Sequence, residues 1–307
     1  MSFEITVAEI EQFRSNAIQL AQQKVSRTWP FVQLKDNVKG KAEYFERIGK
    51  SKMRKRTTRF ADSPQMDTPH SRRKATMEVF DWGDFVDSAD VRRVLIDPAS
   101  AYTLSAAYAV GRQKDAVVID ACMGNAYGGA TGATAIVLPA AQKISADNIG
   151  MTINKAKKAK QLMDELEIDE EGRAMFYASQ QFSELLEDSR FTSTDFAEVK
   201  ALQEGKIERY MGFKWVRIEP RKAAPSAGTA SGDNEHGLYY NATTDVTTCI
   251  AMWGMGVGLA IGQIEQFKFS ERPDKSFSKY LYCEMDIGAT RVQEEAVVTI
   301  DCDNSPT

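Results

Sequence analysis

The residue types that usually carry catalysis are few and widely spaced in this chain. Its 307 residues include two histidines, His70 and His236, and neither has a second ligand at the spacing of a metal site. The sequence contains no GxSxG and no HExxH motif. We therefore expect no catalytic residues and no bound metal, and we predict that the protein is not an enzyme.

Two glycine-rich stretches resemble phosphate-binding loops but lack the required residues. A phosphate loop needs Lys-Ser or Lys-Thr after its last glycine, whereas Gly132 is followed by Ala133 and Thr134. In the stretch 254–262, Leu259 stands where the dinucleotide fingerprint needs its third glycine. We predict no cofactor, and a soluble α/β enzyme that binds a nucleotide at 254–262 is the alternative from the enzyme class.

The cysteines have no ligand or redox spacing. All four lie in apolar surroundings, without a CxxC pair: Cys122, Cys249, Cys283 and Cys302. This pattern predicts reduced, buried thiols in a protein made in a reducing cytosol.

Charge is unevenly distributed along the chain. Residues 1–75 contain 16 Lys and Arg against 8 Asp and Glu, a balance of +8. The remaining residues contain 23 Lys and Arg against 35 Asp and Glu, a balance of −12. A basic N-terminal part and an acidic remainder are as consistent with self-association as with nucleic-acid binding.

Thirteen of the 16 Lys and Arg of residues 1–75 fall in the region 34–93, where charged, β-leaning runs flank a polar tip that contains prolines. The candidate contact residues are Lys50, Lys52, Arg54, Lys55, Arg56, Arg59, Arg72 and Arg73. Few apolar residues here could form a core, so this region predicts an arm that reaches out from the body. Such a cluster could contact phosphates, but aromatic residues are scarce within it. We favour contact with an acidic protein surface.

A long helix is the element that must carry this arm. Residues 98–128 begin with a proline and end near paired glycines, as helices do, and apolar residues recur on one face at helical spacing. At about 1.5 Å per residue the helix would be about 45 Å long, which predicts a spine crossing an extended protein. Asp115 falls in the middle of the apolar face. We expect an ion pair with Arg112, and a partner on another subunit is the alternative.

Further elements follow from periodicity and capping signals. We predict helices at 6–27, 153–167 and after Ser179, strands at 174–178 and 212–218, and a ribbon that alternates over 280–287, breaks at 288–291 and resumes at 297–302. Residues 246–264 hold no formal charge, and we favour a buried core segment over a membrane span because glycines and threonines are frequent there.

The order of these parts resembles the major capsid proteins of tailed bacteriophages, an α+β class with the fold of the Hong Kong ninety-seven phage. The residues that carry the likeness are Gly111-Arg112, Asp115, Ala121, Gly124 and Gly128 in the spine, Ser179 to Phe182 with Leu185-Leu186, Leu202 with Gly205-Lys-Ile and Gly212-Phe213, and Gly288 to Arg291 before Val297–Cys302. The likeness spans nearly the whole chain.

The resemblance implies four parts. They are an N-terminal arm at 1–33, an E-loop at 34–93, a P-domain at 94–150 and 265–307 that contains the spine helix and a C-terminal β-ribbon, and an A-domain at 151–264. The basic residues listed above would then lie on the E-loop and contact a neighbouring subunit.

The resemblance also implies a function. Such a protein self-assembles through hexamers and pentamers into the icosahedral head that encloses double-stranded DNA, in the virion, after assembly in the host bacterial cytoplasm. Residues 1–33 leave no room for a fused scaffolding segment, so a separate scaffolding protein is expected, with a portal protein, a decoration protein as a further candidate, DNA bound without sequence specificity, and no membrane. The alternative within the same fold is an encapsulin-type nanocompartment shell.

Overall fold

A computed structural model describes residues 23–60, 62–86, 98–187, 209–220, 237–262 and 266–305. The α-helices within these ranges are α1 (Pro98–Met123), α2 (Ile153–Glu165) and α3 (Ser179–Glu187). The strands are β1 (Gln33–Lys35), β2 (Ala42–Ile48), β3 (His70–Thr76), β4 (Glu78–Val86), β5 (Ala126–Gly128), β6 (Thr134–Ile136), β7 (Lys143–Ile144), β8 (Arg173–Tyr177), β9 (Arg209–Tyr210), β10 (Phe213–Arg217), β11 (Tyr239–Asn241), β12 (Val246–Trp253), β13 (Val257–Ile261), β14 (Gln266–Arg272), β15 (Ser278–Arg291) and β16 (Val297–Asp303).

The first sheet contributes to the largest core, which it shares with α1, α2, β13 and β15. Its strands run in the order β7-β16-β12-β8-β10-β9, and β11 pairs with β12. Every residue of β8 and the six central residues of β12 are buried. Such continuous apolar runs are typical of strands covered on both faces. The N-cap of α2 is Thr152, whose side chain accepts a hydrogen bond from the Lys155 amide. The helix buries the side that carries Ala156, Ala159 and Met163.

The second sheet is built around β15, which is 14 residues long. This strand pairs with β13 and β14, and β4 pairs along it from Glu78 to Val86. Alternate residues of β15 are buried, as its period-two sequence predicts. The spine helix α1 packs against β15 and β13, so the helix and the long strand support each other.

The third sheet carries the arm. An antiparallel hairpin of β2 and β3 is extended by β5 and β6. Phe45 of β2 is buried in a small core with Ala75, Ala260 and Val292. A Cβ on Gly258 would lie 2.6 Å from the Phe45 ring, so only glycine admits this contact. The tip of the arm, described over residues 49–60 and 62–69, lies between the two strands.

The structure confirms most of the predicted elements, with three corrections. The spine helix ends at Met123 because Ala126–Gly128 forms a strand instead. The ribbon does not break at 288–291, since β15 continues to Arg291 through its pairing with β13. Residues 23–27 of the helix predicted at 6–27 are not helical, and residues 6–22 lie outside the described residues. Residues 246–261 form the strands β12 and β13, and no described helix has the length and hydropathy needed to cross a bilayer.

The sheets do not follow the predicted part boundaries. The strand β16, assigned to the P-domain, pairs with β12 of the A-domain in the first sheet. The strand β13, assigned to the A-domain, pairs with β15 in the second. The two parts therefore exchange strands near residues 257–303, and the boundaries themselves stay a prediction.

The thiols lie in the spine helix and in the sheets: Cys122 in α1, Cys249 in β12, Cys283 in β15 and Cys302 in β16. All four cysteines are free and buried. Burial raises the pKa of Cys122 to about 12, and contact with the Cys302 thiol, together with burial, raises the pKa of Cys249. Because a thiolate is the reactive form, these groups should be inert in the folded protein.

We therefore expect no cysteine of the native protein to react with a small aromatic disulfide reagent at mildly alkaline pH, whereas all four react in denaturant. Absorbance of the released thiolate measures this, and non-reducing electrophoresis of assembled particles should show a single monomer band. A disulfide ladder, or rapid reaction of the native protein, would show that the thiols are accessible.

Candidate functional site

The tip of the arm is the most exposed surface that the structure describes. Residues 50–60 belong to no helix or strand, and every one of them is exposed. Met53 and Phe60 have almost fully exposed side chains among the basic residues. A segment that exposes large apolar groups and has no core of its own is typical of a surface that a partner covers.

The structure separates the predicted contact residues into two groups. Lys52, Arg54, Lys55 and Arg59 are exposed on the tip, and Arg56 donates from Nε to the Thr58 carbonyl at 2.9 Å. Lys50 and Arg72 contact residues of their own subunit. Lys50 contacts Glu167 at 3.0 Å, and the Arg72 guanidinium lies over the Tyr44 ring at 4.7 Å.

Arg73 requires a correction. Its side chain is buried, with 5% exposure, and its Nε and Nη2 donate to the two oxygens of Glu294 at 3.0 and 3.1 Å. A guanidinium committed in this way to a carboxylate of its own chain is not available to a neighbouring subunit. Arg73 therefore holds the base of the arm rather than extending its contact surface.

Glu294 is the centre of a buried charge cluster at this base. Its carboxylate, 6% exposed, also accepts from Arg47 at 3.0 Å. Arg47 in turn donates to the Ser71 hydroxyl at 2.8 Å and to the Val292 carbonyl at 3.1 Å, so it connects β2, β3 and the chain after β15. Burial alone would raise the pKa of Glu294, but hydrogen bonding and charge from Arg73, with Arg47, hold that pKa below its usual value.

Arg291, three residues earlier, holds the end of the spine helix. It is completely buried, and its Nη1 donates to the carbonyls of Cys122 and Gly124 at 2.9 and 2.8 Å. Nη2 donates to the Ile136 carbonyl of β6 at 3.0 Å. A cation at a helix C-terminus satisfies carbonyls that have no partner within the helix and opposes the negative end of its dipole.

Asp115, in the middle of the spine helix, binds the segment of chain that enters the body. We name residues 23–28 the anchor segment. The buried carboxylate, 2% exposed, accepts from the Ser26 hydroxyl at 2.6 Å, the Thr28 hydroxyl at 2.7 Å and the amides of Arg27 and Thr28 at about 3.0 Å. The Gln23 amide also donates to it. Several hydrogen bonds to one ionised group compensate for its burial.

Close packing reinforces this anchor. A Cβ on Gly111 would lie 3.1 Å from the Ser26 nitrogen, so the anchor segment crosses the helix where it has no side chain. Burial lowers the pKa of Arg112, the next residue of the helix. The predicted ion pair between Arg112 and Asp115 stays a prediction, since the Asp115 contacts described above all come from the anchor segment.

Sequence reasoning missed Glu294, Arg291 and Lys155 as structural groups. The Lys155 ammonium is buried and donates to three carbonyls, of Ala146, Ile149 and Asp301, at 2.7–3.0 Å. No local pattern marks these residues, because Lys155 stands beside Asn154 and near Lys157, and Glu294 stands between Gln293 and Glu295. The described residues hold no group of three or more His, Cys, Asp or Glu side chains placed to bind a metal.

An exposed arm on a base held by buried charges, a long spine helix and two sheets that exchange strands are features expected of a shell subunit, whose function lies in its contacts with other subunits. A sequence profile for the family described as phage capsid protein matches residues 5–304. The chain therefore belongs to the phage capsid protein family, and it is a structural major capsid protein.

Solved structures agree on the fold. The capsid of cyanophage P-SCSP1u is similar with a TM-score of 0.66 at 16% identity, over 95% of this chain and 92% of that one. The capsid of Ralstonia phage GP4 gives 0.67 at 11% identity over 99% and 98%, and the head of Helicobacter pylori bacteriophage KHP40 gives 0.68 at 10% over 93% and 92%. At these identities the likeness concerns the fold, and it confirms the expected capsid fold. No curated protein sequence matches the chain significantly.

Removing the Asp115 carboxylate should destabilise the subunit. In Asp115→Ala the buried Thr28 amide and its neighbours lose their acceptor, so we expect the free energy of unfolding to fall by about 3 kcal/mol. Denaturant unfolding of soluble subunits measures it. Glu165→Ala, which removes an exposed carboxylate from α2, should change the same quantity by at most about 0.5 kcal/mol. Equal, small effects of both variants would contradict the role of Asp115.

Glu294 should make stability pH-dependent in one direction. Because its folded pKa lies below the ordinary 4.5, the stability it contributes is complete above pH 4.5 and is lost as pH falls through the lowered value. At neutral pH, Glu294→Gln breaks a buried ion pair and should cost about 3–5 kcal/mol. The difference between wild type and variant should shrink as the pH is lowered from 4.5. A difference that stays constant with pH would show that ionised Glu294 is not the stabilising form.

Proposed function

We propose that this subunit forms hexamers and pentamers that close into an icosahedral head around double-stranded DNA, with the arm as the contact that sets the register between subunits. The observation that supports it is the buried Arg73–Glu294 pair. This pair fixes the base of an otherwise exposed arm, so the arm leaves the body in a defined direction. A contact surface held in advance in this way loses less entropy when it binds.

The exposed cations of the tip then meet an acidic surface of an adjacent subunit. The basic N-terminal part of the chain, residues 1–75, includes Lys52, Arg54, Lys55, Arg56 and Arg59. The remaining residues carry a net charge of −12. Exposed ion pairs contribute only about 0–1 kcal/mol each. Repeated at every contact in a shell, they would set the register and the salt dependence of assembly.

Each of the four parts of the subunit would have its own role in the shell. Residues 34–93 act as the E-loop, and residues 1–33 act as the N-terminal arm that the anchor segment attaches to the spine. The P-domain, at 94–150 and 265–307, and the A-domain, at 151–264, form the wall of the capsomer. The strands exchanged between these two parts, β13 and β16, would make them move as one body.

The partners belong to the same proposal. A separate scaffolding protein guides assembly in the host bacterial cytoplasm, a portal protein occupies one vertex, and a decoration protein is a further candidate. The shell holds DNA without reading its sequence, and the subunit performs no catalysis. Gel filtration and electron microscopy of the protein with its scaffold test the whole proposal, because a monomer that persists under every condition would contradict it.

A charge-removal variant tests the role of the arm. Arg54→Ala, Lys55→Ala and Arg56→Ala together should reduce the yield of closed shells formed without DNA, because they remove three of the tip cations. A matched control removes three exposed lysines from the body, Lys143, Lys157 and Lys158, and should assemble normally. Electron microscopy and sedimentation measure the shell yield. If the arm variant forms empty shells normally and loses only DNA retention, the arm binds the genome and the proposal is wrong.

A further inference from the structure

The ribbon formed by β14, β15 and β4 carries large apolar side chains on its outer face. Alternate residues of β15 from Leu281 to Ile287 are buried on the inner side, and the residues between them face outwards. The register pairs these outward residues with the exposed ones of β4. We name this surface the ribbon face: the outward residues of 79–85 and 280–286. A solvated sheet face is normally polar, yet Val79 is 68% exposed and Phe85 is 44% exposed.

One end of the ribbon face is aromatic. The ring centroids of Phe85 and Tyr280 lie 4.5 Å apart, and those of Tyr280 and Tyr282 lie 6.1 Å apart. The Tyr280 ring reaches across to β4, because a Cβ on Gly83 would clash with the Tyr280 hydroxyl. This end therefore presents the apolar ring of Phe85 and, above Gly83, a hydroxyl group that can donate a hydrogen bond.

The other end of the ribbon face carries the complementary groups. Along β4, the outward positions beyond Gly83 are Asp81 and Val79, and both are exposed. Successive outward positions of a strand are about 7 Å apart. Asp81 supplies a carboxylate that can accept a hydrogen bond, and Val79 supplies an apolar side chain. Each group at one end thus has its complement at the same distance on the other side of Trp82.

A two-fold axis that passes over Trp82 brings these complements together. It places Phe85 of one copy on Val79 of the second copy, and the Tyr280 hydroxyl on the Asp81 carboxylate. Because the axis relates the two copies equally, each of these contacts forms twice. The strand β15 follows the same symmetry, because its tyrosines and its carboxylates lie on opposite sides of the residue that pairs with Trp82.

We propose that the ribbon face binds the ribbon face of a second copy of this chain, with the strands antiparallel and the two-fold axis over Trp82. A surface that is its own complement is what an isologous contact requires. In a shell, such a contact joins two subunits and cannot close a ring of five or six. The ribbon face therefore connects subunits of adjacent capsomers, a consequence that rests on the proposed function.

The size of the ribbon face determines where this contact is populated. Seven residues on each of three strands cover about 25 Å by 12 Å, which is about 300 Å² on each copy. A stable independent interface buries at least about 1,000 Å² in total, so this contact alone is weak between free subunits. Its effective concentration rises when other contacts hold the subunits together in a shell.

Paired cysteines test this arrangement. Val79→Cys and Phe85→Cys are combined in one full-length chain, and assembled shells are treated with a short bismaleimide. The native thiols are buried, so the reagent should act on the engineered ones. Positions 79 and 85 of one subunit are about 20 Å apart, which a short linker cannot span. The double variant should give a subunit dimer in denaturing electrophoresis, because position 79 of one copy faces position 85 of the other.

Single variants and charge reversals test the register. The two-fold axis keeps each position about 20 Å from the same position of the second copy, so each single variant should yield at least about tenfold less dimer. Asp81→Arg, added to the double variant, should lower the dimer yield about tenfold, because each contact loses two hydrogen bonds from Tyr280. Glu271→Arg makes the same change of charge on the other side of the ribbon, opposite Lys279, and should leave the yield unchanged.

Three results would overturn the proposal. They are an absence of dimer in the double variant, an equal dimer yield from one single variant, and a photoreactive maleimide on Val79→Cys that labels the arm or the scaffolding protein rather than β4. Failure of the wild type to form shells would count against the proposed function alone. In that case concentrated soluble subunits are treated with the same reagents and judged by the same three results.

Discussion

The rest of the structure depends on two buried charged side chains, Arg291 and Glu294, in one short segment of the chain. Between β15 and β16, Arg291 holds the end of the spine helix and the strand β6, and Glu294 holds the arm through Arg73 and Arg47. Between them, Val292 packs against Phe45 of the arm, and its amide bonds the Gly256 carbonyl. Four residues thus connect the arm, the spine and both large sheets. Buried charges suit this task because they tolerate few alternative partners.

This segment explains how the arm can be held firmly at its base and exposed at its tip. The hairpin strands are held by pairing, by the small core around Phe45 and by Glu294, whereas residues 50–60 are exposed throughout. A shell subunit needs both properties, because contacts between subunits form only when exposed groups are presented at a fixed angle. Asp115 does the same for the anchor segment, which it fixes to the middle of the spine. The arm and the anchor segment are therefore attached through the carboxyl groups of Glu294 and Asp115, which belong to the body.

The sequence predicted those features that depend on local pattern. Proline at position 98, the apolar run of β8 and the alternation in β15 are all local, and the elements they predict are present. The contacts of the buried charges join residues far apart in the chain, such as Arg73 with Glu294 and Arg291 with Cys122. No spacing rule connects such pairs, which is why Arg73 was assigned to the surface. The partition of β13 and β16 between the sheets is non-local for the same reason.

The central claim is that the Glu294 carboxylate holds the arm to the body, and hydrogen exchange tests it most directly. Amide exchange should be compared in the wild type, in Glu294→Gln and in Glu295→Gln, whose carboxylate lies at the limit of contact, 4.0 Å from Arg47. The account predicts that amides of β2 and β3 exchange at least about tenfold faster in Glu294→Gln alone, while β8 and β12 stay protected. Unchanged protection of β2 and β3 in that variant would contradict it.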